Sequence, residues 1–172
     1  MFSSRIRTAH LRMPRMGSGG LLRPLSIVIY HNPECGNSRN ALAMIEAAEK
    51  SHPDNPETLH VIEYLKVGWT KPQLLGLFAA AGLNPRTALR ASKSPAKELG
   101  LLEEGVSQEE ILDRMVEYPV LVNRPIVCTV KGVRLCRPSH RVLDILENQP
   151  LGPLLKEDGE MVIDEQGKRM KP

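Results

Sequence analysis

Hydrophobic and polar positions along this 172-residue chain switch between a period of two and a period near 3.6. Ile27-Val28-Ile29-Tyr30 is an unbroken β-branched and aromatic run, which predicts a buried strand. His31-Asn32-Pro33 and Gly36 interrupt it as a tight loop, after which Leu42, Met44 and Ile45 predict an amphipathic helix over residues 38–50. The turn-rich Ser51-His52-Pro53-Asp54-Asn55-Pro56 stops that helix, and residues 60–65 read as a second strand. Two strands joined by a helix form a right-handed βαβ unit, so the pair is expected to be parallel.

Further along, Thr70-Lys71-Pro72 has the form of an N-cap with proline just inside a helix. That helix carries Leu74, Leu75, Leu77 and Phe78 towards Ala81, and Gly82 ends it. Residues 84–118 are helical signal throughout, over 85–91, 95–99 and 107–117, with Ser107-Gln108-Glu109-Glu110 in capping-box form. Ile126-Val127-Cys128-Thr129-Val130, a Lys131-Gly132 turn and Val133-Arg134-Leu135-Cys136 predict an antiparallel hairpin. Pro138-Ser139 opens a last helix through Val142, Leu143, Ile145 and Leu146. The order implies an α/β fold, a mixed four-stranded sheet over residues 26–148 with a helical insert at about 84–118. Residues 149–172 form a polar tail, packed at the edge or partly loose.

Composition narrows the picture. Aromatics make up only 3% of the chain, so the core must rest on Leu, Ile, Val and Ala. The net charge of +3 misleads, because five of the 23 basic residues (Arg5, Arg7, Arg12, Arg15, Arg23) fall in the acid-free residues 1–25. The remaining 18 cations face 20 acids, which offers no broad basic footprint for nucleic acid. Residues 1–25 read as a basic, disordered extension with a flexible Gly17-Ser18-Gly19-Gly20 break. Their composition partly matches a transit peptide and lacks the apolar core of a secretory signal. An upstream start, with Met13 or Met16 as the true beginning, is the other bland reading. No apolar run is long enough to span a bilayer. Three cysteines, an odd number without metal-ligand spacing, argue against a disulfide framework or a zinc site and suit a reducing, cytoplasmic setting.

Cys35 falls between a strand and a helix start, where unpaired N–H groups and the dipole favour a thiolate and also a bound oxyanion. Position 38 is Ser38, so this is not a C-x-x-C dithiol site. Arg39 follows Cys35 after three residues, not the five of a cysteine-based phosphate loop, which weighs against a Cys phosphatase. Cys35 must act as a single nucleophile and take its resolving thiol from elsewhere.

The run His31-Asn32-Pro33-Glu34-Cys35-Gly36-Asn37-Ser38-Arg39-Asn40 closely resembles the active-site signature of glutaredoxin-coupled arsenate reductases. Matches follow in order at Arg86-Thr87-Ala88-Leu89-Arg90, Leu121-Val122-Asn123-Arg124-Pro125-Ile126-Val127 and Arg134-Leu135-Cys136-Arg137-Pro138-Ser139, with a similar C-terminal tail from Lys156. The resemblance implies a thioredoxin-like sheet with a cis Arg124–Pro125 bond facing the cysteine. It also implies reduction of arsenate at Cys35, with Arg90, Arg124 and Arg137 as substrate arginines. Glutathione is then a co-substrate and glutaredoxin a partner, with no bound cofactor, and a monomer is expected.

Around that core, each residue has a bland alternative. His31 is expected to support the thiolate, or else to be a surface hydrogen bonder at a strand end. Ser38 either donates to the Cys35 sulfur or caps the helix. Arg90 alone would read as a favourable charge at a helix C-terminus. Glu34 should point to solvent. Cys136 is expected to be structural because strand alternation separates it from Arg137, and Cys128 to be core. Rival readings on the same fold are a thiol reductase with another substrate and an Spx-type transcriptional regulator. The full arginine set argues against the first, and Ser38 with those arginines against the second.

Overall fold

The structure is a computed structural model that describes residues 26–170. The expectation for residues 1–25 lies outside the described residues. A four-stranded mixed sheet in the order β2-β1-β3-β4 organises the domain. Strand β1 (Ser26–His31) pairs parallel with β2 (Thr58–Glu63), as the βαβ argument requires, and antiparallel with β3 (Ile126–Thr129). Strand β4 (Gly132–Leu135) closes the hairpin with β3 and forms one edge.

Each face of the sheet has its own core. Alternation along β1 sends Ile27 and Ile29, both fully buried, to the side of helix α1 (Gly36–Ser51), where Ala41, Met44, Ile45 and Ala48 recur at helical spacing. Burying side chains the size of Met44 and Ile45 stabilises the fold by roughly 1.5–3 kcal/mol each. The opposite face takes Tyr30, Tyr64 and Trp69 with the helical insert. The Trp69 ring stacks on Tyr64 at 5.1 Å and tilts against Tyr30 at 4.9 Å. Aromatics are few in this chain, and three of them meet at one place behind the cysteine loop.

Helix α3 (Lys71–Ala81) starts on the expected signal: Thr70 accepts from the Gln73 N–H in a capping box, Pro72 sits in the first turn, and Gly82 closes the end at φ 65°. Other boundaries differ from the sequence reading, each for a local reason. Strand β2 lies earlier than residues 60–65, because pairing with the whole of β1 fixes its register; Tyr64 then starts a short turn, α2 (Tyr64–Val67). The predicted helix over 85–91 stops at α4 (Pro85–Ala88), where Leu89 leaves to bridge Val122. Residues 95–99 form hydrogen-bonded turns ended by Gly100 at φ 68° and not a helix, although Ala96 and Leu101 are buried as a helix would bury them. Helix α5 (Gln108–Glu117) opens on Ser107, whose side chain accepts from the Glu110 N–H.

The last predicted helix is a 3-10 segment, Ser139–Asp144, which still buries Val142 and Leu143. The tail folds back as a hairpin, β5 (Leu154–Leu155) and β6 (Met161–Ile163), whose Val162 and Ile163 complete the α1-side core. Its polar composition hid that role, because only Val162, Ile163 and the partly buried Leu154 supply the apolar contact.

Candidate active site

The loop after β1 is fixed by one residue. Asn32 accepts the Glu34 N–H on Oδ1 at 2.9 Å, accepts the Cys35 N–H on its carbonyl at 3.0 Å, and donates its own N–H to Ser38 Oγ at 3.0 Å. Cys35 thereby becomes the N-cap of α1, with extended φ −110° and ψ 117°, and its carbonyl takes the N–H groups of Ser38 and Arg39. The N–H groups of Gly36 and Asn37, in the first turn, have no intrahelical acceptor, and both residues line the same cavity as Cys35.

Ser38 does not cap the helix. It is fully buried, the helix has no side-chain cap, and its hydroxyl serves as the acceptor that locks Asn32. His31 also differs. It is 6% exposed, so it is no surface hydrogen bonder, and Nδ1 has no partner. Burial holds its pKa below 6.5, which favours the uncharged ring. Glu34 is exposed, as expected, at the rim.

Cys35 opens into a cavity of about 310 Å³ lined also by Arg90, Arg124 and Arg137. The three arginines arrive from separate segments. Arg90 is held beyond α4 by its N–H to the Leu121 carbonyl at 2.8 Å, and Asn123 returns the tie through its Nδ2 to the Leu89 carbonyl at 3.0 Å. Arg90 thus follows the Leu89 bridge and is not the helix-terminal charge that the sequence alone suggested. Arg124 enters at the start of β3, 7% exposed, with Nε buried and without a partner. Arg137 follows β4, one residue after a Cys136 whose N–H donates to the Pro125 carbonyl at 2.9 Å. The Arg124–Pro125 bond is cis as expected; Arg137–Pro138 and Gly152–Pro153 are cis as well.

Among the described residues, none of these three arginines pairs with a carboxylate. The electrostatic cost is visible in Arg90, whose pKa is pushed down by burial first and then by Arg124. Planar guanidinium groups without carboxylate partners, buried at Arg124, half-buried at Arg90 and exposed at Arg137, make a site for an oxyanion around a helix N-terminus. Three neighbours escaped the sequence reading. Lys93 lines the same cavity from a left-handed φ of 52°, and Ser92 accepts from Arg90 Nε at 3.0 Å. Their only signal was a polar Ala91-Ser92-Lys93-Ser94-Pro95 run among helical patterns. Tyr64, raised in pKa chiefly by burial and within the field of Arg124, Arg90 and Cys35, backs the cluster.

The other two cysteines stand apart. Cys136 is fully buried, its thiol donates weakly to the Arg134 carbonyl, and burial pushes its pKa up to about 12. Cys128 is raised to about 11 by the same cause. No group of His, Cys, Asp and Glu among the described residues could hold a metal, and no described helix is long and apolar enough to cross a membrane.

Sheet order, inserted helices and one cysteine at the mouth of the βα loop define a thioredoxin-like protein with a single reactive thiol. Residues 30–145 match the model of the ArsC family, and the chain belongs to that family. It is 67% identical over 144 residues to the arsenate reductase ArsI2 of Synechocystis, covering 84% of this chain and 98% of that protein. It is 45% identical over 146 residues to the arsenate reductase of Escherichia coli K12, covering 85% and 99%. The solved arsenate reductase of Vibrio cholerae superposes with a TM-score of 0.63 at 35% identity, over 72% of this chain and all of that one.

Proposed function

We propose that this chain reduces arsenate to arsenite, with Cys35 as nucleophile and Arg90, Arg124 and Arg137 as the substrate clamp. The observation that carries the reading is the convergence of those three unpaired arginines on the Cys35 cavity. Arsenate is a tetrahedral oxyanion, and planar, permanently charged donors suit it better than lysine would. Family membership and the similarity to named arsenate reductases support the same substrate.

In the first step the Cys35 thiolate attacks arsenic and a protonated oxygen leaves as water, giving a thiol-arsenate adduct. The guanidinium groups and the N–H groups of α1 hold the charge on the arsenic-bound oxygens. In the second step the thiol of glutathione attacks the Cys35 sulfur. A sulfur–sulfur bond forms, the sulfur–arsenic bond breaks, its electron pair stays on arsenic, and arsenite departs with the thiol proton. Glutaredoxin then removes the glutathionyl group by thiol–disulfide exchange and returns Cys35 to the thiol. Ser38 at the position of a second cysteine is why outside thiols are needed. Such a cycle consumes thiols and belongs in a reducing compartment, the cytoplasm.

The test is arsenate-dependent NADPH oxidation by the full chain, coupled through glutathione, glutaredoxin and glutathione reductase. Turnover that requires glutaredoxin and vanishes in Cys35→Ser supports the proposal. Absence of turnover from folded protein overturns it.

A further inference from the structure

A second recess, of about 290 Å³, meets the arginine cavity at the first turn of α1, because Gly36 and Asn37 line both. Its other walls come from Asn40 of α1, from the 3-10 segment, through Ser139, and from the C-terminal hairpin, through Lys156, Glu157 and Asp158. Ser139, Lys156 and Asp158 keep complementary hydrogen-bonding and charge capacity. Ser139 is 1% exposed and its Oγ has no hydrogen-bond partner among the described residues. A buried hydroxyl without a partner is costly and points to a ligand atom that completes it. The Lys156 side chain is only 10% exposed, and its ammonium meets Glu160 at 2.6 Å with two further N–H donors to give. Asp158 accepts the Glu160 N–H on Oδ1 and pairs with no cation among the described residues. The neighbouring carboxylate, Glu157, is already taken by Arg39.

A hydroxyl and an ammonium beside a free carboxylate match an α-amino-acid zwitterion, whose carboxylate and ammonium lie on one carbon. We propose that this recess binds the γ-glutamyl end of glutathione. The ligand carboxylate meets Ser139 Oγ and Lys156 Nζ, its ammonium meets Asp158, and the cysteinyl thiol extends along Gly36 and Asn37 to the Cys35 sulfur. The assignment rests on the reductase reading above. It explains how a single-cysteine site could select glutathione over other thiols without a second cysteine.

Two measurements on the full chain test it. In the first, S-methylglutathione, which cannot react, is titrated calorimetrically into wild type, Asp158→Asn and Ser139→Ala; Asn keeps the turn acceptor of Asp158, and circular dichroism checks each fold. Binding to wild type that weakens about tenfold in Asp158→Asn supports the site. Absence of binding, or equal binding by both variants, overturns it. In the second, arsenate turnover is compared with glutathione and with cysteinylglycine, which lacks the γ-glutamyl group. A wild-type preference of about tenfold for glutathione in kcat/KM, collapsing in Asp158→Asn while the KM for arsenate holds, supports the site. No preference in wild type overturns it. Ligand binding without any turnover would remove the reductase reading and leave the recess as a glutathione site, so the two failures are distinguishable.

Discussion

Arg39 and Glu157, 118 residues apart, form a two-pronged ion pair beside the cysteine loop, with Nε to Oε1 at 2.6 Å and Nη2 to Oε2 at 2.8 Å. The remaining prong, Nη1, donates to the Pro33 carbonyl at 2.6 Å, and the Glu157 N–H donates to Asn40 Oδ1 at 2.9 Å. The C-terminal hairpin therefore clamps both the loop that precedes Cys35 and the helix that follows it. Both side chains are exposed, so salt screens the pair and it adds little to global stability. Its effect is local. Glu157→Gln should speed amide hydrogen exchange across residues 33–39 with little change in Tm, and high salt should do the same to wild type. Arg39 holds the Glu157 pKa below 4.5, so the clamp is intact above that pH and loosens as pH falls through the depressed value. Unchanged exchange in the variant would mean that Asn32 and Ser38 hold the loop unaided.

The arginine cluster predicts a graded loss. Arg124 is the most enclosed, and its unpartnered Nε is poised for a ligand oxygen. Arg124→Lys keeps the charge and loses the planar fork, so kcat/KM for arsenate should fall by about 10²–10³. The same variant should melt close to wild type, because the charge is kept and Arg124 has no ion pair among the described residues to lose. A drop in Tm together with intact kinetics would reverse the assignment, making Arg124 a structural residue.

His31 gives a pH prediction with a definite sign. Burial holds its folded pKa below the ordinary 6.5. The unfolded chain takes up that proton first as pH falls, so the contribution of neutral His31 to stability is complete above 6.5 and declines beneath it until the folded pKa is reached. His140 is lowered for the same leading reason and adds to the trend. His31→Gln should flatten part of the fall in Tm below pH 6.5 relative to wild type. Parallel curves for the two proteins would show that His31 titrates alike in both states.

Much of this arrangement was legible in the chain because local physics wrote it there. The Ile27-Val28-Ile29-Tyr30 run, the Thr70 cap and Gly82 are decided within a few residues, and the structure keeps them. Elements that differ were decided at long range. Leu89 leaves its helix to bridge Val122, β2 takes its register from β1, and the polar tail earns its place through Val162, Ile163 and the Glu157 clamp. The site divides the same way. Cys35 and the arginines stood out by type and by family resemblance, whereas the acceptor role of Ser38 was hidden because its partner, the Asn32 N–H, depends on how the loop closes. Lys93 carried only the weak signal of its polar run and Tyr64 none, since neither spacing nor composition reveals which loop lysine or core tyrosine borders a cavity.

Thiol chemistry should be confined to one cysteine. With pKa values pushed up to about 12 and about 11, Cys136 and Cys128 hold their protons at neutral pH, and thiolates are the alkylating species. Iodoacetamide at pH 7.5 should label Cys35 first in the folded chain, as read by peptide mass mapping, and Cys136→Ala should retain arsenate turnover. Loss of turnover in that variant, with its fold intact, would instead make Cys136 a resolving thiol.

Gly152 supplies the most direct stability prediction. Its backbone lies against the Asp164 carbonyl and the Ile163 side chain, so closely that an added Cβ would overlap backbone atoms, which cannot rotate aside. This approach fixes the hairpin that presents Lys156, Glu157 and Asp158 to the cysteine loop. Gly152→Ala should destabilise the chain by about 1–3 kcal/mol, the usual cost of overpacking. At roughly 2–4 °C per kcal/mol for a chain of this size, thermal melting resolves that loss. The backbone must give way at the hairpin, so exchange at residues 33–39 should rise as it does in Glu157→Gln. An unchanged Tm with normal loop protection would show that the chain can separate at this contact, and that the clamp on the cysteine loop does not depend on it.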